Sequence, residues 1–325
     1  MACTSAAGES WGADSGCDEL FFQRKVPFGV RLYFYRGKSP NFGDELNHYL
    51  LPKVFPGLFN DDPSAMMLGI GSVLFDHHPA GVVKVVFGSG YGGYTAPPVL
   101  DETWDIFCVR GDFTARTLGL DPSYSVGDSG ILIYDYRNPT RTKQHKFSFI
   151  PHWESLERGC WKEACRLANV HFIDPTAPVP EVLHAIEASE VVLTEAMHGA
   201  IVADALRVPW VPILPFSKAH HVKWNDWASA LDVDLRPRPI RASSVQEQLV
   251  RWGRSGRRLD GVTGLRRRFL QTLDRRMTER AAESLAMLTN VTPSLSSDES
   301  IERAVGRLNE RACAILKKYA PHIQR

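Results

Sequence analysis

The 325-residue chain has no Cys-x-x-Cys pair, no uninterrupted apolar run of membrane-spanning length, no nucleotide-binding glycine fingerprint and almost no net charge. Each absence excludes something. The six cysteines (Cys3, Cys17, Cys108, Cys160, Cys165, Cys313) show no ligand-type spacing, so neither a zinc site nor a disulfide framework is expected, and reduced thiols point to the cytoplasm. The most apolar stretch, Val191 to Phe216, is interrupted by Glu195, His198, Asp204 and Arg207, which excludes a transmembrane helix there. Residues 1–27 lack the basic start and apolar centre of a secretory signal and read as a disordered leader. A net charge of +1 supplies no global field for nucleic acid. No Gly-Lys-Ser/Thr closes a glycine-rich loop, no Gly-x-Gly-x-x-Gly opens a helix, and no serine sits in a nucleophile elbow. His, Cys, Asp and Glu form no metal-ligand pattern either, so metal independence is expected.

What is present is an ordinary globular composition, 44 % apolar and 23 % charged, arranged as alternating short β-rich runs and helical patterns. Strands are predicted at Val30 to Tyr35, Ala65 to Ile70, Val82 to Phe87, Ile106 to Val109 and Tyr124 to Val126, with helices at Asp44 to Phe55 and Phe113 to Leu118. A second series starts near Lys146. It predicts strands at Phe147 to Ile150, Val170 to Ile173, Val191 to Thr194 and Val211 to Leu214, and helices at Leu156 to Ala168, Val179 to Ala188 and His198 to Leu206. The polar stretch 136–145 between them reads as a hinge. The expected fold is therefore α/β, with Rossmann-like domains at 28–140 and 141–235 facing each other across a cleft, and a helical extension at 236–325.

Ligands of open α/β sheets lie beyond the carboxyl ends of the strands, so the loops there are the candidate site. Asn41-Phe42-Gly43-Asp44 follows the first strand; Asn41 and Asp44 either cap the next helix or face the cleft, where Asp44 can serve as a base. Gly71-Ser72 and Gly88-Ser89-Gly90 allow backbone N–H groups to approach an anion, or else form tight turns. Arg110 ends a buried strand and needs an anion, either an internal partner such as Asp112 or Asp128 or a substrate carboxylate or phosphate. Asp128 opens Gly127-Asp128-Ser129-Gly130, a cap or a second candidate base. In the second half His152 ends one strand, and Glu195-Ala196-Met197-His198-Gly199 joins another to a helix whose start would favour an anion. The other histidines, His220 and His221 among them, read as surface or packing residues.

Taken in order, Asn-Phe-Gly-Asp (41–44), Gly-Ser-Val-Leu (71–74), Val-Phe-Gly-Ser-Gly (86–90), Val-Arg-Gly (109–111), Gly-Asp-Ser-Gly (127–130), Ile-Pro-His (150–152) and Met-His-Gly (197–199) resemble the polysaccharide pyruvyl transferases. The resemblance spans about residues 30 to 230, includes Lys223-Trp224-Asn225-Asp226-Trp227, and is nearest the ketal pyruvate transferases of succinoglycan and xanthan. It implies a fold similar to GT-B glycosyltransferases and transfer of pyruvyl from phosphoenolpyruvate to two hydroxyls of one sugar, without a cofactor. The implied acceptor is a lipid-linked repeat unit or polysaccharide. His198 and Arg110 would then hold the donor, His198 or His152 would give the proton, Asp44 or Asp128 would take one, and Asn41 would orient the acceptor. Many members carry Arg-Leu-His or Ser-Leu-His where this chain has Ala196-Met197-His198, so either Arg110 or another basic residue must supply the missing charge. The alternatives are a nucleotide-sugar glycosyltransferase, for which Glu195 is the acid available to a ribose, and a non-catalytic protein that binds anionic glycan or membrane.

Residues 236–280 hold thirteen Arg against four acids, so the rest of the chain carries the compensating negative charge. Apolar Leu265, Phe269, Leu273, Met277, Ala281 and Leu285 recur every fourth residue among these Arg, predicting a helix to Leu288, and a last helix follows at Glu299 to Tyr319 behind Ser297. This basic segment either lies against something anionic, lipid headgroups at the inner face of the plasma membrane or the pyrophosphate of a lipid-linked acceptor, or wraps the acidic remainder as a solvated helix face.

Overall fold

The structure, a computed structural model, describes residues 29–37, 39–254, 259 and 263–321; the leader expected at 1–27 lies outside them. The fold is mixed α/β with two four-stranded parallel sheets. The first has the order β1 (Arg31–Tyr33), β2 (Ala65–Leu68), β3 (Val83–Ser89), β4 (Trp104–Val109), with α1 (Phe42–Val54) between β1 and β2 and α2 (Asp112–Thr117) after β4. The second comprises β5 (His145–Ile150), β6 (His171–Phe172), β7 (Ser189–Thr194) and β8 (Trp210–Pro212) in the order β6-β5-β7-β8. Its helices are α3 (Trp153–Arg158), α4 (Trp161–Ala168), α5 (Val179–Glu187), α6 (Met197–Ala205) and α7 (His221–Ala230). The chain leaves β5 toward β6 and then crosses back to β7, so the direction of winding reverses between β5 and β7. Such a reversal opens a crevice at the carboxyl ends of the two strands. Pro151-His152 and Glu195-Ala196 occupy those ends.

The strands are short and, as in β2 and β3, buried along their whole length, which is why they read as apolar runs without alternation. Two expectations are corrected. Tyr124 to Val126 is not a strand but a 3₁₀ turn, Pro122–Tyr124, followed by an isolated bridge from Ser125 to Val109, because Asp121 caps the turn through the Ser123 amide. The helix predicted over Leu156 to Ala168 breaks at Gly159 into α3 and α4. A Cβ at Gly159 would come within 2.5 Å of Glu247 Oε1 and Ser243 Oγ, so the chain bends where α8 (Val245–Arg251) meets it.

The stretch between the halves is tied down by one side chain. Glu187 accepts from the Asn138 amide at 2.7 Å and from Arg141 Nε at 2.6 Å, while its own carbonyl accepts from Lys143 Nζ at 2.9 Å. Beyond residue 236 the two long helices go to different places. The carboxyl half of α9 (Gly264–Leu288) packs Ala281, Leu285 and Leu288 with Trp161, Ala164 and Cys165 of α4. The last helix, α10 (Asp298–Tyr319), starts with Ser297 capping the Ser300 amide and returns to the first half. There Ile301, Leu308 and Ile315 enter the main core, and Lys318 and Tyr319 both bond Asp105 of β4, at 2.7 and 2.5 Å. Among the described residues four cysteines are free thiols, and no helix is long and apolar enough to cross a membrane.

Candidate active site

A cavity of about 350 Å³ lies where loops of both sheets meet. From the first half it is lined by Asn41 and Asp44 at the start of α1, Gly71 and Ser72 after β2, and the aromatics Tyr35, Phe75 and Tyr94. From the second it is lined by His152, Trp153 and Glu154 after β5, Met197 and His198 at the start of α6, and His220 and Lys223. A small recess adjoins it, bounded by Gly43, Ala196, Met197, His198 and Lys223.

Asn41 occupies the N-cap position of α1, but its side chain accepts nothing from the helix; instead its Nδ2 donates to Asp44 Oδ2 at 2.8 Å. That bond fixes the Asp44 carboxylate at the cavity wall. Burial raises the Asp44 pKa above the ordinary value, against the opposing pull of Asn41, His198 and Lys223. Asp128 is a cap that also faces a residue of the cavity wall: Oδ1 accepts from the Gly130 amide at 2.9 Å, while Oδ2 faces His198 Nε2 at 3.7 Å. Among the described residues neither Asp128 Oδ2 nor His198 Nε2 has a hydrogen-bond partner, so each is the other's natural counterpart as an ion pair when the imidazole is protonated. On the other edge of the ring, a Cβ on residue 43 would lie 2.1 Å from His198 Nδ1, so only glycine at that position leaves room for the imidazole.

His152 is nearly fully buried. Its Nδ1 accepts from the Glu154 amide at 3.3 Å, which leaves Nε2 as the N–H of the neutral ring. Burial, then the positive charges of Lys223, His220 and Arg158, hold its pKa well below the imidazole value. His220, predicted as a surface or packing residue, lines the cavity instead, its ring centroid 4.4 Å from that of His152. It meets Tyr94 Oη at 3.0 Å and Glu154 Oε2 at 3.4 Å. Burial lowers the His220 pKa, and contact with His220 lowers that of Glu154. Lys223 makes no hydrogen bond or ion pair among the described residues, and burial, followed by the Arg110 charge, brings its pKa down to about 8. The sequence signal for Lys223 was its place in Lys-Trp-Asn-Asp-Trp; for His220 there was none.

Ligand atoms of His152, Glu154 and His220 lie within 4.8 Å of one another, a grouping that chain spacing concealed because His220 is remote from the other two. The residues fit a divalent cation poorly, because Lys223 and Arg158 already place positive charge beside them and Arg158 Nη1 occupies Glu154 at 3.0 Å. The same charges suit an anion.

The remaining sequence candidates stand behind the wall. Arg110 does not line the cavity, nor does it pair with Asp112 or Asp128. Fully buried, it donates from Nε to Asp226 at 2.9 Å, from Nη1 to Ser72 Oγ at 2.7 Å and from Nη2 to the Tyr91 carbonyl at 3.3 Å. Asp226 also accepts from the Thr114 amide and hydroxyl at 2.9 and 2.6 Å, so it clamps α7 to α2 across the two halves. Gly90 lets the guanidinium through, since a Cβ there would fall 2.1 Å from its Cζ. Glu195 is also buried, and its oxygens accept from the His152 amide, Ser155 Oγ and the Phe216 amide at 3.0, 2.9 and 3.2 Å, leaving it poorly placed to meet a ribose. Ser89 Oγ and the Gly90 amide both bond the Gly71 carbonyl, Gly88 packs on Ser129, and Gly199 packs on Thr194 Oγ1. Gly88, Ser89, Gly90 and Gly199 shape the loops rather than line the cavity.

A parallel α/β architecture whose strand-end crevice gathers imidazoles, a lysine without a partner among the described residues and a bound carboxylate is the layout of an enzyme. Residues 84–215 match the family model for polysaccharide pyruvyl transferase. The chain is also 33 % identical over 315 residues to the succinoglycan biosynthesis protein ExoV of Rhizobium meliloti (strain 1021), covering 89 % of this chain and 100 % of that protein. The chain therefore belongs to the polysaccharide pyruvyl transferase family and is an enzyme of that kind. No solved structure matches it.

Proposed function

We propose that the enzyme moves the pyruvyl group of phosphoenolpyruvate onto two hydroxyls of one sugar in a lipid-linked exopolysaccharide repeat unit, forming a cyclic ketal and releasing phosphate. The observation that carries this reading is the set of cationic and N–H donors on one side of the cavity, His152, His198, His220 and Lys223, facing Asn41 and Asp44 on the other. A compact anion needs fixed positive charge and donors, and the acceptor hydroxyls need a base. In this reading the two sheets and the cleft between them form a GT-B-like pair of Rossmann-like domains.

Lys223 supplies the charge missing from Ala196-Met197-His198, since it bounds the recess beside those three residues. The uncapped first turn of α6 adds backbone N–H groups and the favourable end of the helix dipole. Arg110 acts through its field and by holding Ser72. His198, backed by Asp128, protonates the methylene carbon of phosphoenolpyruvate, and the first sugar hydroxyl attacks the central carbon as Asp44 takes its proton. Phosphate leaves with the enol oxygen, the second hydroxyl attacks the same carbon, and its proton passes to the departing phosphate. Neutral His152 donates a hydrogen bond from Nε2 to the donor. Tyr35, Phe75, Tyr94 and Trp153 offer flat apolar faces for the sugar ring. No cofactor or metal is assigned to the reaction, and no nucleic acid to its partners. The setting is cytoplasmic, at the inner face of the plasma membrane.

Incubating the purified enzyme with phosphoenolpyruvate and a lipid-linked oligosaccharide tests this reading. Phosphate release matched by a new ketal methyl signal in the product supports it; absence of turnover with every pyruvylatable acceptor tried overturns it.

A further inference from the structure

The apolar stripe of α9 is continuous along the helix, but the protein covers only part of it. Ala281 and Leu285 are fully buried against the second half of the molecule, whereas Phe269 is 64 % and Leu265 83 % exposed. Exposed Arg266, Arg267, Arg268, Arg275 and Arg276 surround the uncovered half of the stripe, and none forms an ion pair among the described residues. The acid of that stretch, Asp274, is engaged with the Val245 amide at 2.8 Å. A helix that merely wrapped the acidic remainder of the chain would pair these arginines and cover Leu265 and Phe269; among the described residues the arginines have no ion-pair partner, and both apolar side chains are exposed.

We propose that the amino-terminal half of α9 is a docking surface for an anionic lipid bilayer, in which Leu265 and Phe269 enter the headgroup boundary while the arginines meet lipid phosphates. Charge complementarity, and the mixture on one helix of exposed apolar side chains with cationic ones that have no ion-pair partner among the described residues, favour a bilayer over an apolar protein groove, which would offer five arginines no counter-charge. Long arginine stems extend around such an apolar face while their charged ends remain at the headgroups. The packed carboxyl half of α9 makes the helix a rigid mount, so docking requires no refolding. This surface does not depend on the identity of the pyruvyl donor.

Co-sedimentation of the full chain with phosphatidylcholine vesicles, with and without phosphatidylglycerol, tests the inference. The expected result is binding only to vesicles that contain phosphatidylglycerol, weakening as salt shortens the screening length from ~8 Å toward ~3 Å. A Leu265→Ser/Phe269→Ser variant should bind at least about tenfold more weakly. A triple change of Arg266, Arg267 and Arg268 to Gln should remove the salt dependence. These side chains are exposed, so both variants should keep the wild-type Tm and turnover of a soluble acceptor, which separates failure of docking from failure of the enzymatic reading. Equal binding to neutral vesicles, no binding at all, or unchanged binding by the variants overturns the inference. So does a shift from dimer to monomer in the Leu265→Ser/Phe269→Ser variant without vesicle binding, which would make the surface a contact between copies of the chain. Binding to soluble anionic polysaccharide in place of vesicles overturns it too.

Discussion

The wall of the cavity and the layer behind it use the same chemical types, yet they are bonded differently. In the layer behind, Arg110 and Asp226 bond each other and further partners, and the Glu195 oxygens accept from three donors. On the wall, Lys223 has no partner among the described residues, His198 Nε2 faces only Asp128, and Asp44 is held by one amide. A buried charge with saturated partners fixes geometry, whereas a charge left unsatisfied at a cavity retains its interaction energy for a ligand. A strand-end arginine is therefore a poor guide to substrate contact by itself; what matters is where its donors point.

This contrast breaks most visibly at the Arg110–Asp226 pair. Arg110→Met leaves Asp226 charged and buried, and should destabilise the fold by ~3–5 kcal/mol, with Asp226→Leu in the same chain restoring part of the loss. Urea unfolding measures both. If Arg110→Lys instead leaves stability intact while greatly raising KM for phosphoenolpyruvate, the guanidinium is a substrate ligand and the contrast fails.

On the wall the reverse pattern is expected. Asp44→Asn should lower kcat by about 10²–10⁴-fold with little change in the unfolding midpoint, as loss of a general base does. Steady-state kinetics beside thermal melts checks this.

Lys223→Met should raise KM for phosphoenolpyruvate by roughly 10- to 150-fold, the value of a charged hydrogen bond of ~1.5–3 kcal/mol, and leave kcat less affected. Its pH signature follows from the shift. With the Lys223 pKa at about 8, the ammonium is present below that pH and lost above it, so donor affinity should fall through the alkaline limb near 8. With Asp44 as the proposed base, the acid limb should reflect its raised pKa: the carboxylate is lost as pH falls, at a pH above that of an ordinary aspartate. Lys223→Arg should move only the alkaline limb, upward.

Gly43→Ala places a methyl where the His198 ring stands and should cost about 10²-fold in kcat/KM by displacing it, the usual penalty for a misplacement near 1 Å. An unchanged rate would mean that the ring position is unimportant. The smallest effect concerns metal. Chelators should change the rate by less than about twofold, because the space between His152, Glu154 and His220 is already surrounded by cations. A larger loss, restored by one divalent ion, would recast that part of the wall as a cation site.

Much of the site was legible because its parts are local. Asn41-Phe42-Gly43-Asp44, Ile150-Pro151-His152 and Ala196-Met197-His198 each sit at the carboxyl end of a strand, and strand ends can be located from short apolar runs followed by glycine, proline or a helix start. His220 and Asp226 were not legible as partners. Each works with residues far back in the sequence, His220 with His152 and Asp226 with Arg110, and nothing in the local pattern marks such a pairing. Gly159 shows the same limit on a smaller scale: at the break between α3 and α4 only glycine leaves room for Glu247 and Ser243, which arrive from much later in the chain.

The sequence alone determined the parallel α/β pattern, the order of the loop motifs, and the seam of leucine and phenylalanine along the basic helix. All three are set by residue periodicity and by the backbone preferences of short segments. The tertiary structure decided which charges are satisfied and which apolar groups are covered: Arg110 saturated behind the wall, Lys223 without a partner among the described residues upon it, Leu265 and Phe269 exposed while Ala281 and Leu285 of the same seam are buried. The physical reason is that satisfaction and burial depend on every group that arrives from elsewhere in the chain, and only the packed fold fixes those arrivals.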